Sequence, residues 1–132
     1  MNIEKPDFAD YIAKLAEAAA MPITTFAEEK TALAKRMEYF NENGCKVSDH
    51  ALEYVMYVPA TEEEIETIFA KRMAGEAVTR EEELAFKTAF MIYMGQMCNK
   101  LDWGMQLHYG CKRDNNKLMY DKMGPDTGFD CI

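Results

Sequence analysis

"MQLHYGCKRDNN", residues 105–116, is the stretch on which the fold turns. It opens with the makings of a short strand, Met105 to Tyr109, and ends on His108, Gly110 and the polar run Lys112-Arg113-Asp114-Asn115-Asn116. A second segment of the same length, Cys45-Lys46-Val47-Ser48-Asp49, follows Gly44 just as the first follows Gly104. Both have the length of a short strand, and each comes directly after a long amphipathic run. The connection between them exceeds the dozen residues that a parallel crossover needs, so the two strands are expected as parallel neighbours. In such sheets the chemistry gathers at the carboxyl ends of the strands. That edge would carry Asp49 and His50 on the first strand and His108, Gly110 and Arg113 on the second, with both histidines facing one crevice.

Helices account for most of the remainder. The first is expected over residues 6–20, with Phe8, Ile12, Leu15, Ala16 and Ala19 on one face and Pro22 beyond its end. Three more open with Thr and Glu at capping-box spacing, which satisfies two otherwise unpaired N–H groups at once. These are Thr25/Glu28, Thr61/Glu64 and Thr79/Glu82. The second carries Phe26, Leu33, Met37 and Phe40 on one face and meets Gly44, a left-handed terminator; the third carries Ile65, Ile68 and Phe69 and meets Gly75. The fourth runs to Leu101 with Phe86, Phe90, Tyr93, Met94, Met97 and Leu101 on a stripe, and its second half is apolar nearly all round, implying burial on most sides. Tyr54 to Val58 has strand-like composition but ends at Pro59, so it is expected as extended loop or edge. The fold class is therefore mainly α with two short parallel strands.

A chain of 132 residues has the length of one domain, 1–132, and is long enough to bury a real core. Its net charge of −8 opposes binding to phosphate backbones and to anionic membranes. No run approaches the ~18 apolar residues of a membrane span, and the N-terminus lacks a signal-peptide pattern, so a cytoplasmic protein is expected. Cys45, Cys98, Cys111 and Cys131 show no CxxC pairing and are read as reduced thiols. The clusters Glu62-Glu63-Glu64 and Glu81-Glu82-Glu83 sit in first helical turns and are read as solvated caps that complement the helix dipole. Asp114-Asn115-Asn116 fails as a calcium loop, because Met119 stands where the turn glycine belongs.

"GCKVSDHALE", "WGMQLHYGCKRDNN" and "MGPDTGFD" resemble, in order, segments of the uronate (glucuronate) isomerases of the amidohydrolase superfamily, and the similarity runs along essentially the whole chain. The resemblance implies a metal-dependent (β/α)₈ barrel that interconverts D-glucuronate with D-fructuronate and D-galacturonate with D-tagaturonate. Such a barrel takes about 250 residues. The chain would therefore be a partial TIM barrel, a truncated piece around the fourth strand (Cys45 to Asp49) and the fifth (Met105 to Tyr109). The family's HxH metal pair is missing, as is its later Asp-x-Arg segment. We therefore expect no cofactor and no metal site in this chain, His108 being the one residue in a position that faces metal elsewhere in the superfamily, while zinc or manganese would serve the intact enzyme. The residues carried over as crevice-lining or substrate-binding are His108, Arg113, His50 and Asp49, with Arg113 suited to clamp a sugar carboxylate. Cys111, Lys112 and Asp114 depart from the family pattern. Alone, the chain is expected to be inactive, and its strand edges to be buried in a homo-oligomer or its strands to remain loops. The alternatives are a free-standing helical interaction module docking through Phe90, Met94 and Met97 on a Met-rich fourth helix, and a metal-dependent hydrolase of the same superfamily.

Overall fold

The structure is a computed structural model that describes residues 2–125, 127 and 128. Cys131, together with Asp126, Phe129 and Asp130 of the "GPDTGFD" segment, lies outside the described residues. Helices α1 (Phe8–Ala19) and α2 (Phe26–Glu42) precede strand β1 (Val47–Ala51); α3 (Glu62–Met73) and α4 (Arg80–Leu101) precede β2 (Gly104–His108); a short α5 (Lys117–Met123) follows. This is the expected order of helices, strand, helix pair and strand. The short α5 was not foreseen, because its seven residues bury none of their side chains and leave no periodicity to read. The chain groups into two compact units, a helical one up to Val47 together with Met56–Gly104, and a second comprising Ser48–Val55 and the chain from Met105 on.

In the helical unit all three capping boxes form as spaced in the sequence: Thr25, Thr61 and Thr79 each accept from the N–H of the glutamate three residues on, and each glutamate bonds back. Gly44 and Gly75 adopt the left-handed conformation beyond α2 and α3 (φ 89° and 87°). One phenylalanine from each of the four helices meets at the centre. Phe8 stands edge-on to Phe69 (5.9 Å, 80°) and to Phe86 (5.9 Å, 88°), and Phe26 lies 5.1 Å from Phe86. Edge-on rings put the positive rim of one against the negative face of the next, about 0.5–1.5 kcal/mol per pair beyond burial. Polar ties cross between helices: Phe26 and Ala27 N–H donate to the Glu66 carboxylate of α3, both at 2.8 Å, and the Tyr93 hydroxyl donates to the Lys30 carbonyl at 2.6 Å. Residues 54–58 form no strand, and Val58 N–H is held by Thr88 Oγ (3.0 Å).

Three expectations are corrected here. Phe90, Met94 and Met97 are buried, so they form core rather than a docking face, and the interaction-module alternative loses its surface. Phe40 lies in the apolar stripe of α2 but is 46% exposed, packed against Tyr39 under the Arg36 guanidinium. Periodicity fixes a direction around the helix and not what is there to meet it. Glu83, expected in a solvated cap, is buried with Arg80 (2.7 Å) and Lys87 as partners. Burial opposes its ionisation, but the hydrogen bonds from Lys87 and Arg80 outweigh that and hold its carboxyl below the usual range.

The strands form one two-stranded sheet within a single chain, not loops. Gly104 N–H donates to the Lys46 carbonyl (2.9 Å), Leu52 N–H to His108 (2.8 Å) and Gly110 N–H to Glu53 (3.2 Å). Paired residues rise together in number along both segments, which makes the pairing parallel.

Glu29 is fully buried on α2, and neither carboxylate oxygen has a hydrogen-bond partner. Burial pushes its carboxyl up to about 7 from 4.5. The neutral acid is the form the fold favours, so stability is full below the unfolded value of 4.5 and falls as pH rises toward 7. Urea melts of wild type and Glu29→Gln should diverge across that window, the variant gaining on the order of 3 kcal/mol by pH 8; parallel pH profiles would contradict the burial cost. In the same assay Phe86→Ala should cost about 3–5 kcal/mol and Phe40→Ala under about 1.

Candidate functional site

Strand β1 starts two residues later than its composition suggested, because the end of α2 uses the preceding backbone. Gly44 N–H bonds to the Asn41 carbonyl (3.0 Å) and Cys45 N–H to Phe40 (3.0 Å), which takes both out of any ladder. Asp49 therefore stands in the middle of β1 and not at its carboxyl edge. Exposure alternates residue by residue along both strands, as the pleat demands. Asp49, Gln106 and His108 lie at exposed positions, while His50, Met105 and Leu107 occupy the half-buried ones.

Across the sheet, Asp49 Oδ1 lies 2.9 Å from His108 Nδ1, both side chains being slightly more than half exposed. The other ring nitrogen, Nε2, lies 2.7 Å from the Gln106 amide nitrogen, two residues back on the same strand and so on the same face. The expected meeting of the two histidines in one crevice is corrected. Asp49 contacts His108, and His50 is its neighbour along the strand, so the His50 ring projects to the opposite face. Its Nε2 is buried without a partner, and burial draws the imidazole below its ordinary value against a smaller upward pull from Asp49. Arg113 lies exposed in the turn at residues 113–114, beyond Gly110 (φ 82°) and in the same unit as Asp49 and His108. Gln106 was missed from sequence, although its i, i+2 spacing to His108 was the available signal.

An imidazole with a carboxylate on one nitrogen has its orientation fixed and leaves the other nitrogen to exchange a proton with an oxygen. Metal is a different matter. Among the described residues no group of three or more His, Cys, Asp and Glu side chains converges. Asp49 and His108 supply two donors, and one ring nitrogen is already occupied by Asp49. These residues do not fit a divalent metal site of their own. In the helical unit a groove of about 600 Å³ at the N-terminal ends of α3 and α4 is lined by Glu63, Glu64, Glu81 and Glu82, a poor lining for an anionic sugar acid. Cys45 and Cys111 are free thiols.

A family profile for glucuronate isomerase matches residues 1–132. This chain belongs to the glucuronate isomerase family. It is 61% identical to the uronate isomerase of Lachnoclostridium phytofermentans and 58% identical to that of Lachnospira eligens, in both cases over the whole chain but only 28% of the relative. The crystal structure of uronate isomerase from Thermotoga maritima superposes with a TM-score of 0.87 at 33% identity, covering 98% of this chain and 29% of that one. Glucuronate isomerase from Caulobacter crescentus gives 0.83 at 23% identity, over 98% of this chain and 27% of its own, and supports the fold alone. The chain thus spans little more than a quarter of the length of these relatives. None of its helices is long and apolar enough to cross a membrane, among the described residues.

With two histidines in the chain, proton NMR resolves each titration. His50 should titrate below 6.5, the neutral ring being the one its half-buried face favours. Its contribution to stability is then present above 6.5 and is lost as pH falls through the lowered midpoint. A midpoint above 6.5 would place the ring in solvent or beside an ionised partner instead.

Proposed function

We propose that this chain is the segment of a uronate isomerase that supplies part of the sugar-acid site, with β1 and β2 as the neighbouring fourth and fifth strands of a (β/α)₈ barrel. The observation that carries this reading is the Asp49–His108 pair, held across adjacent parallel strands at 2.9 Å with the second ring nitrogen turned away from the carboxylate. Parallel strands that end together are where barrel enzymes place their chemistry. The 0.87 TM-score to the Thermotoga maritima uronate isomerase supports the barrel placement.

In this reading the substrate is a small uronic acid, and the reaction moves a proton between C1 and C2 of the open-chain sugar. An aldose and a ketose interconvert through an enediol, with no net change of atoms or electrons. His108 Nε2 hydrogen-bonds a substrate oxygen and exchanges a proton there, while Asp49 keeps the ring oriented and stabilises the imidazolium when it forms. Arg113 meets the sugar carboxylate, because a planar guanidinium matches two carboxylate oxygens at once. His50, on the opposite face, supports the strand and does not touch the sugar. The divalent zinc or manganese of the family belongs to residues outside this chain. The open edges of the two-stranded sheet are covered by further strands of the enzyme or by another copy of the chain, in the cytoplasm, with no nucleic acid or membrane partner.

A chimaera tests this directly, with residues 1–132 replacing the matching 28% of the Lachnoclostridium phytofermentans enzyme. It should convert D-glucuronate to D-fructuronate, whereas the 132-residue chain alone should not. In the chimaera, His108→Asn should lower kcat by about 10²–10⁴-fold, and Arg113→Lys should act mainly by raising KM. Full activity in the His108→Asn chimaera would remove the pair from the site, and comparable turnover by the isolated chain would show that it needs no further strands.

A further inference from the structure

Among the described residues, Glu29 is the one carboxyl with 0% exposure and no hydrogen-bond partner on either oxygen. It occupies the inward face of α2 between Phe26 and Ala32, where the helix elsewhere turns apolar side chains to the core. Three contacts along the seam between α1 and α2, in matching order, show which element covers it. At one end Phe8 and Phe26 meet the same ring, Phe86, at 5.9 and 5.1 Å. In the middle Tyr11 lies within electrostatic reach of Glu29, and burial first, then the Glu29 charge, pushes the Tyr11 hydroxyl up. At the far end Lys35 Nζ donates to the Ala19 carbonyl (2.6 Å) and the Arg36 guanidinium to that of Ala18 (3.1 Å). Helix α1 is the cover over the carboxyl.

The cover is fastened less firmly than the helices beneath it. Each of α2, α3 and α4 begins with a complete capping box, whereas Asp7 at the start of α1 makes no side-chain cap bond. The Glu66 carboxylate on the Phe26 and Ala27 N–H groups, and the Tyr93 hydroxyl on the Lys30 carbonyl, bind α2 to α3 and α4 without involving α1. Residues 20–25, which join α1 to α2, form neither helix nor strand.

We propose that Glu29 makes the seam between α1 and α2 a pH-sensitive joint: when the carboxyl ionises, α1 lifts to admit water to it while α2, α3 and α4 stay packed. A carboxylate without a donor is costly in an apolar seam, and lifting one weakly capped helix is a smaller change than unfolding the unit. Burial raises the carboxyl from 4.5 to about 7, against a weaker opposing pull from the positive N-terminus. Of the cations on α3 and α4, Arg72 spends its terminal nitrogens on the Glu76 and Lys5 carbonyls, and Lys87 is held by Glu4 and Glu83. The closed seam therefore has its full stability below 4.5, loses it progressively up to about 7 and changes no further above that. The joint lies in the helical unit and is independent of the function proposed for the Asp49–His108 pair.

Hydrogen exchange of the 132-residue chain, followed by NMR from about pH 5 to about pH 8 with each amide corrected for its intrinsic rate, tests the joint. Protection of the α1 amides should fall on the order of a hundredfold across that range, and that of α3 and α4 far less. Glu29→Gln keeps the shape and cannot ionise, so its α1 protection should no longer follow pH. Should that variant fail to fold, Glu29→Leu serves the same purpose, and the wild-type profile decides by itself. A flat wild-type profile, equal losses in all four helices, or a pH dependence that survives in a folded variant overturns the joint.

Discussion

The register of β1 on β2 is the constraint on which the chemistry of this chain depends. Gly104 N–H on the Lys46 carbonyl and Leu52 N–H on that of His108 fix it at the two ends of the ladder. Because side chains alternate with a period of two, a slip of one residue would bring His50 to the face of Gln106 and His108 and send Asp49 to the other. The register in turn follows from how the preceding helices stop. Cys45 N–H returns to the Phe40 carbonyl and Trp103 N–H to that of Cys98, each the last turn before a strand begins. The Trp103 indole N–H donates to Asn41 Oδ1 at 3.0 Å, which ties the end of α4 to the end of α2.

Four phenylalanines of the helical unit, one from each helix, meet in edge-on and tilted contacts that constrain rotation as well as distance. Against that stand costs the unit carries inside: Glu29 without partners, and the Arg72 Nε without one, although the two terminal nitrogens of Arg72 reach the Glu76 and Lys5 carbonyls. A buried carboxyl with no donor persists only where the surrounding packing outweighs it. The second unit is differently made, with α5 burying no side chain and Tyr109, Leu118 and Met123 exposed. The Asn116 side chain caps α5 by accepting from the Met119 N–H.

Membership of the glucuronate isomerase family and a span of 28% of the relatives' length belong together with the geometry of the pair. Asp49, His108 and Gln106 stand in contact on one face of the sheet, yet no third metal-binding side chain joins them among the described residues. The proposed function assigns the missing parts to other stretches of a longer enzyme and asks of this chain only what its residues provide.

Much was legible in the amino-acid order. The capping boxes at Thr25, Thr61 and Thr79, the glycine stops at 44 and 75, and the alternation of helices with two strand segments depend on bonds between residues three to six apart, and short-range bonds are written in short-range sequence. The family motifs around Asp49, His108 and Arg113 were visible for the same reason. The pairing of Asp49 with His108, the turning of His50 to the other face and the burial of Glu29 and Glu83 were not. Each joins or separates residues whose relation is set by where a strand starts or by which helix packs opposite, and a shift of two residues in the start of β1 was enough to move Asp49 from the rim to the middle of its strand. Local sequence determined which elements form; only the tertiary structure, through the register of one parallel ladder and the packing of four helices, decided which side chains meet.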